Sequence, residues 1–391
     1  MIVVLSNKKV IISMKYQKYK YIIPVILITI IVLIFSFDTS KKKNTINLKW
    51  NKSYPEDTFT KNVIALKWCL SFLGSDLVAD TSTVGMSISN EPMITLNINQ
   101  LKFNKNATKY LQKLNSKLKK TEEYKKNNAI DLGRYIALTI GSSYHYYKIV
   151  DIPDKLQEYY ALYSFDTING YIDDSSVSLI DRIISISKNN TEKRQAYIST
   201  EVDSITKKIY EYETLEIMNN GQLKFGIYDH NGNIKDVADR SVTNAGKPAK
   251  CIWCHETGVQ PLLSKQNDHK GYLTYLALQD SLDDNNKLLR SYQDKHWKDK
   301  EITNKRLHTE MEISYISFME PSAEHLSNEW GISIEEVKTK LKHLSTHKHH
   351  EFGFIGDLYH RKDVDVLAPW KSMEVPESIR EKSTNEVNYL N

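Results

Sequence analysis

Apolar side chains recur every three to four positions between Phe59 and Leu77 (Val63, Leu66, Trp68, Leu70, Leu73), a spacing that predicts a helix with a buried face. The rhythm then changes. Met86-Ser-Ile-Ser and Ile94-Thr-Leu-Asn-Ile-Asn-Gln-Leu alternate apolar and polar residues, the period of a half-buried strand. Helical spacing returns at 107–126 and 132–149, where Tyr144-His145-Tyr146-Tyr147 reads as packing on a helix face rather than a cofactor site. From 171 to 235 strand signals dominate. Two alternating runs flank Asn219-Asn220-Gly221, residues that tolerate positive φ and so suit a hairpin turn, and Asp229-His-Asn-Gly-Asn233 makes a second turn. Residues 58–239 are therefore expected to form an α+β domain. It contains no phosphate loop, nucleophile elbow or zinc-protease helix.

Beyond Asp239 strand signals fade. Residues 264–300 read as helical with polar breaks, and 304–319 as a helix that stops before Pro321. Ser333-Ile-Glu-Glu336 opens another helix with the capping-box pattern. The final stretch, with Pro369 and Pro376, reads as an extended tail. Residues 240–391 are accordingly expected to be a mostly α-helical domain.

The amino terminus differs from both. Tyr21 to Phe37 is an uncharged apolar run, preceded by Lys8, Lys9, Lys15, Lys18 and Lys20 and followed, after Asp38, by Lys41, Lys42 and Lys43. At about 17 residues it suits a short membrane span, and no small-x-small cleavage site follows it. The expectation is a signal anchor or transmembrane helix over 1–38 and a polar linker over 39–57. Met14-Lys15 offers an alternative start to Met1.

Composition narrows the function classes. With 53 basic and 48 acidic residues, the charge of +5 is small and spread along the chain, so no nucleic-acid partner is expected. Three cysteines in 391 residues are no disulfide scaffold. Cys69, within the apolar Trp68-Cys69-Leu70, reads as a small buried hydrophobe. The other two form Cys251-Ile-Trp-Cys254-His255.

A Cys-x-x-Cys-His run has the spacing that attaches haem c: the thiols add across the vinyl groups, and the adjacent histidine becomes the proximal iron ligand. Over Gly246–Leu263, reading GKPAKCIWCHETGVQPLL, the chain resembles the c-type cytochromes. The resemblance implies one covalent haem c, a cytochrome c-like fold around it, attachment on the outer side of a membrane, and a redox partner protein. It also implies a proline carbonyl that accepts a hydrogen bond from the proximal histidine. Pro261 in Gly258-Val-Gln-Pro261-Leu262 is the candidate, although it stands closer to His255 than the family pattern has it.

For the distal iron position the resemblance implies a methionine downstream. Met319, next to Glu320-Pro321 at a helix end, is the first candidate and Met311 the second. Bis-histidine ligation through His269, His296 or His308, or an empty distal site, stays open. Two rival readings of the motif are a zinc site, which needs further ligands such as His269 or Cys69, and a thioredoxin-like dithiol, which needs a βαβ context. The stretch His343, His347, His349, His350 and Glu351 reads as a solvated tract, with a metal site as its alternative. The expected function is extracytoplasmic electron transfer by a membrane-anchored protein. The alternatives are a peroxidase-like haem enzyme and a haem-based binding or sensor module.

Overall fold

A computed structural model describes residues 44–391, apart from 78–83, 89, 257, 260–262, 300–307 and 385. The chain divides at Thr45/Ile46, and Ile46–Asn391 is one compact unit. Two sheets organise it. The first has the order β2-β3-β1-β4: β1 (Thr45–Lys49) runs parallel to β4 (Ile130–Asp131), with Leu48 opposite Ile130, and β2 (Met86–Ile88) runs antiparallel to β3 (Met93–Asn97). The second is an antiparallel meander of β5 (Gly170–Ile172), β6 (Asp181–Ile186), β7 (Ala196–Val202), β8 (Ile209–Ile217) and β9 (Leu223–Asp229). Its last hairpin turns at Asn219-Asn220-Gly221, with Gly221 at φ 82°. Only glycine adopts that conformation without strain.

Twelve α-helices lie among the described residues. Six precede the meander or separate the sheets: α1 (Phe59–Phe72), α2 (Lys105–Leu118), α3 (Glu122–Asn127), α4 (Leu132–Thr139), α5 (Ser143–Val150) and α6 (Leu156–Leu162). Six follow it: α7 (Pro248–Cys254), α8 (Tyr275–His296), α9 (His308–Met319), α10 (Ala323–Trp330), α11 (Ile334–Lys340) and α12 (Arg361–Asp365). Thr58, Asn104, Thr121, Asp131, Ser142, Thr274 and Ser322 each cap a helix by accepting from a backbone N–H of its first turn. At α11 both halves of the predicted capping box form between Ser333 and Glu336.

Helix α1 is buried around most of its circumference, which explains its apolar residues on all sides. It packs against α9, which also crosses α4. The α4–α9 crossing is close at Gly133, where a Cβ would stand 2.2 Å from Phe318 Cβ. Helix α2 keeps a single apolar stripe, Ala107, Leu111, Leu114 and Leu118, turned toward the core. One hydrophobic cluster runs from Ile46 to Leu390 and takes in both sheets, α1, α4, α7 and α9.

The expectation of a mostly helical segment after 240 is overturned. From Lys342 to Asn391 the described residues hold one 3-10 turn, Gly353–Ile355, and the five-residue α12. Order there comes from burial of Trp370, Met373, Ile379 and Leu390 and from long-range contacts such as Arg134 Nη1 donating to Met373 O at 2.9 Å. Such contacts leave no period in the sequence. The expected helix over 264–300 is likewise confined to α8; 264–269 holds no regular secondary structure, and Gln266 Oε1 there accepts from Asp173 N and Asp174 N at 2.8 and 2.9 Å. The fold is thus mixed α+β with two sheets, without a cytochrome-like helical half. The apolar run Tyr21–Phe37, expected to cross a membrane, lies outside the described residues. No helix among the described residues is long and apolar enough to do so.

Candidate functional site

Cys251 and Cys254 lie on α7, and the local sequence dictates the helix. Pro248 occupies its first turn, where a missing N–H costs nothing and the fixed φ is already helical. Gly246, at φ 68°, turns the chain into it, and a Cβ there would stand 2.4 Å from the Arg380 carbonyl oxygen. That oxygen accepts from Lys247 N at 2.8 Å. The buried Lys247 ammonium donates to Ser378 O at 3.1 Å and to Glu386 at 2.6 Å. Helix α7 is therefore pinned to the C-terminal segment at its start while its body packs on β9 and α5.

Ile252 is fully buried and Trp253 is exposed, which fixes the rotation of the helix. Cys251 packs against the core. Arg182 on β6 and Glu213 on β8 both act on its thiol. Arg182 ties β6 to both β7 and β8 by donating to Glu201 at 2.5 Å and to Glu213 at 2.6 Å. Burial pushes the Glu213 carboxyl up to about 7 against the pull of Arg182. Burial, reinforced by Glu213, raises Cys251 well above the ordinary thiol range; Cys254 is raised by burial too, although Lys250 opposes it. Both are thiols rather than thiolates at neutral pH.

His255 follows the last turn of α7 and tilts against the Phe225 ring at 5.5 Å. Its Nδ1 lies 3.2 Å from the Gly258 carbonyl oxygen. Burial lowers its pKa to about 4, so the ring is neutral at pH 7. In a neutral ring an Nδ1–H that donates to a carbonyl leaves the lone pair on Nε2, the atom that takes a metal. The partner expected for His255 was the Pro261 carbonyl. Pro261 lies outside the described residues, and Gly258 makes the observed contact.

Gly258 sits at φ 149°, and a Cβ there would stand 2.4 Å from Asn286 Oδ1. The same Oδ1 accepts from Val259 N at 2.9 Å. Helix α8 thus holds the turn that holds His255.

The donor set suits a haem joined at its edge. Cys251 and Cys254, both free, would carry the thioethers and His255 the iron. The rival readings fare less well. Among the described residues the only group of three metal-capable side chains is Asp131, His325 and Glu329, so Cys251, Cys254 and His255 do not converge on one ion as zinc ligands do. Dithiol exchange needs a thiolate, which burial disfavours at both sulfurs. Cys69 is fully buried, with its thiol pushed up to about 12 by desolvation.

A cavity of about 880 Å³ lies between the end of α9 and the C-terminal segment. Tyr315, Met319, His349, His360, Trp370 and Arg380 are among its walls, and Arg380 also sits 5.8 Å over the Trp253 ring. Met319 faces this cavity, but Cys251, Cys254 and His255 are not among its walls. Met311 is buried in the core. His269 pairs with Asp173 at 2.9 Å and His296 with Asp76 at 3.2 Å; the side chain of His308 lies outside the described residues. In the histidine-rich stretch His343 and His350 are exposed, whereas His347 bonds Glu320 at 2.7 Å and stacks on His360.

Sequence reasoning missed Gly258, Asn286 and the Arg182–Glu213 pair. Only Gly258 left a signal, as a glycine three residues past His255. Fold and site together define a class: a mixed α+β protein with a Cys-x-x-Cys-His motif on a short helix laid against an antiparallel meander. No family model, curated protein or solved structure matches the chain.

Proposed function

We propose that this chain is a c-type cytochrome, with one haem c joined to Cys251 and Cys254 and His255 as the proximal ligand. It exchanges single electrons with a redox partner protein on the outer side of a membrane, where such haems are attached. The observation that carries the reading is the His255 Nδ1 contact to Gly258 O at 3.2 Å, which presents Nε2 as a neutral, oriented donor. When bound, the haem supplies the one-electron chemistry. The chain's part is to hold the group by the two thiols, to orient the imidazole through Gly258 and Asn286, and to pack the His255 ring against Phe225. Met319 is the proposed distal ligand, as the half-buried methionine at the end of α9, whereas Met311 is packed away in the core.

The cavity walled in part by Arg380, which reaches over Trp253, supports a second reading, a haem enzyme whose small substrate binds there. Carbon monoxide separates the two. A six-coordinate electron carrier keeps its reduced spectrum when the gas is added. A shifted spectrum, together with turnover of peroxide, would replace electron transfer by the enzyme reading.

A further inference from the structure

Far from α7 in sequence, three potential ligand atoms face one another inside the protein. His325 and Glu329 lie one turn apart on α10, and Asp131 ends β4. His325 Nε2 is 3.1 Å from Asp131 Oδ2 and 3.7 Å from Glu329 Oε2, and each of the three residues is no more than 4% exposed. Although close to two carboxylates, Nε2 is not aligned for a hydrogen bond with either.

The atoms around this trio are already committed. His325 Nδ1 meets Ser53 Oγ at 2.7 Å. Ser53 Oγ also contacts Asn51 O at 3.4 Å; with its hydroxyl proton directed there, the ring proton sits on Nδ1. That arrangement leaves a bare lone pair on Nε2 pointing at two carboxylates. Asn51 donates to Asp131 Oδ2 at 2.6 Å, and Arg361 Nη1 donates to both oxygens of Glu329 at 2.8 and 3.1 Å. Each candidate ligand is thus oriented by its own partner, the arrangement that accompanies metal ligands. The surrounding charge is short of cations. Asp131, Glu329, Glu123 and Asp365 face Arg134 and Arg361, with the half-buried Lys49 at the edge. Ser53, His325 and Asp131 also lie in hydrolase-like order, but Ser53 is 2% exposed, so no substrate reaches its hydroxyl.

We propose that Asp131, His325 and Glu329 bind one divalent transition-metal ion of the zinc type, which ties β4, α10 and the Asn51–Ser53 segment together. A nitrogen donor with two carboxylates suits zinc better than calcium or magnesium, which prefer oxygen alone. Because the site is enclosed, the ion enters as the chain folds, and three protein donors leave its fourth position to a water.

The test measures zinc, separately from haem iron, in the purified full chain before and after unfolding and refolding with a chelator. About one equivalent of zinc is expected beforehand. Chelator-refolded protein should melt at lower temperature, and refolding with zinc chloride should restore the melting temperature. His325→Gln should show neither zinc nor a chelator effect. Should that variant fail to fold, the wild-type zinc content and zinc-dependent melting decide alone. Substoichiometric zinc that zinc chloride cannot raise, with melting indifferent to it, would overturn the proposal.

Discussion

Asn286 Oδ1 accepts a hydrogen bond from Val259 N at 2.9 Å, so one side chain of α8 fixes the turn whose Gly258 carbonyl meets His255. Asn286→Ala leaves that N–H unpaired and should cost about 1–2 kcal/mol in urea denaturation. In the haem-loaded protein the imidazole becomes less well oriented and less basic, and the reduction potential should rise. Asn286→Asp keeps the acceptor and should restore most of both. A potential equal to wild type in the alanine variant would limit Asn286 to a structural role.

Gly258→Ala is expected to be worse than Asn286→Ala. The position needs φ 149°, and the new methyl carbon would stand 2.4 Å from Asn286 Oδ1. Strain at such a backbone costs more than about 1 kcal/mol before the clash is counted. Thermal melts of both variants, side by side, give the order.

The low pKa of His255 makes a pH prediction. Its folded value of about 4 lies below the ordinary 6.5, so between these values the unfolded chain binds more protons. Stability of the haem-free protein should therefore fall as pH drops from about 6.5 to 4, by up to about 3 kcal/mol from this residue. His255→Gln should lose that part of the dependence. Urea titrations at several pH values read it directly, and identical profiles would contradict the burial of this ring.

Removing one partner of the buried ion network should be costly. Arg361 is 2% exposed and donates to Glu329 and Asp365. Arg361→Met leaves those carboxylates buried with one guanidinium fewer, and a loss of about 3–5 kcal/mol is expected in denaturant unfolding. A loss below about 1 kcal/mol would mean that water reaches the cluster.

The two methionines should separate cleanly. Met311→Leu conserves volume in a packed core and should cost less than about 1.5 kcal/mol without changing the haem spectrum. Met319→Leu removes the thioether beside the cavity and should convert a low-spin reduced spectrum to a carbon monoxide-binding one. The opposite pattern would move the distal ligand to Met311.

What the sequence made legible was local. Ser333 and Glu336 announced a helix start, and Asn219-Asn220-Gly221 a hairpin, because each signal is complete within a few residues. Cys251, Cys254 and His255 were legible as a motif for the same reason. Asn286 was not, since its contact with Val259 depends on α8 folding back over the turn. The Asp131–His325 pair joins residues nearly two hundred positions apart, by a separation no periodicity encodes. The final stretch with Pro369 and Pro376 was legible as non-helical but not as packed, because its order comes from buried side chains and tertiary hydrogen bonds that leave no period.

The most direct test of the central claim is a haem-stained denaturing gel with intact-mass measurement, on full-length protein made together with haem-attachment machinery. Wild-type protein should carry stain that survives denaturation and a mass increased by one haem, with both lost in Cys251→Ala/Cys254→Ala. Wild-type protein that stays unstained and at its polypeptide mass would contradict the claim.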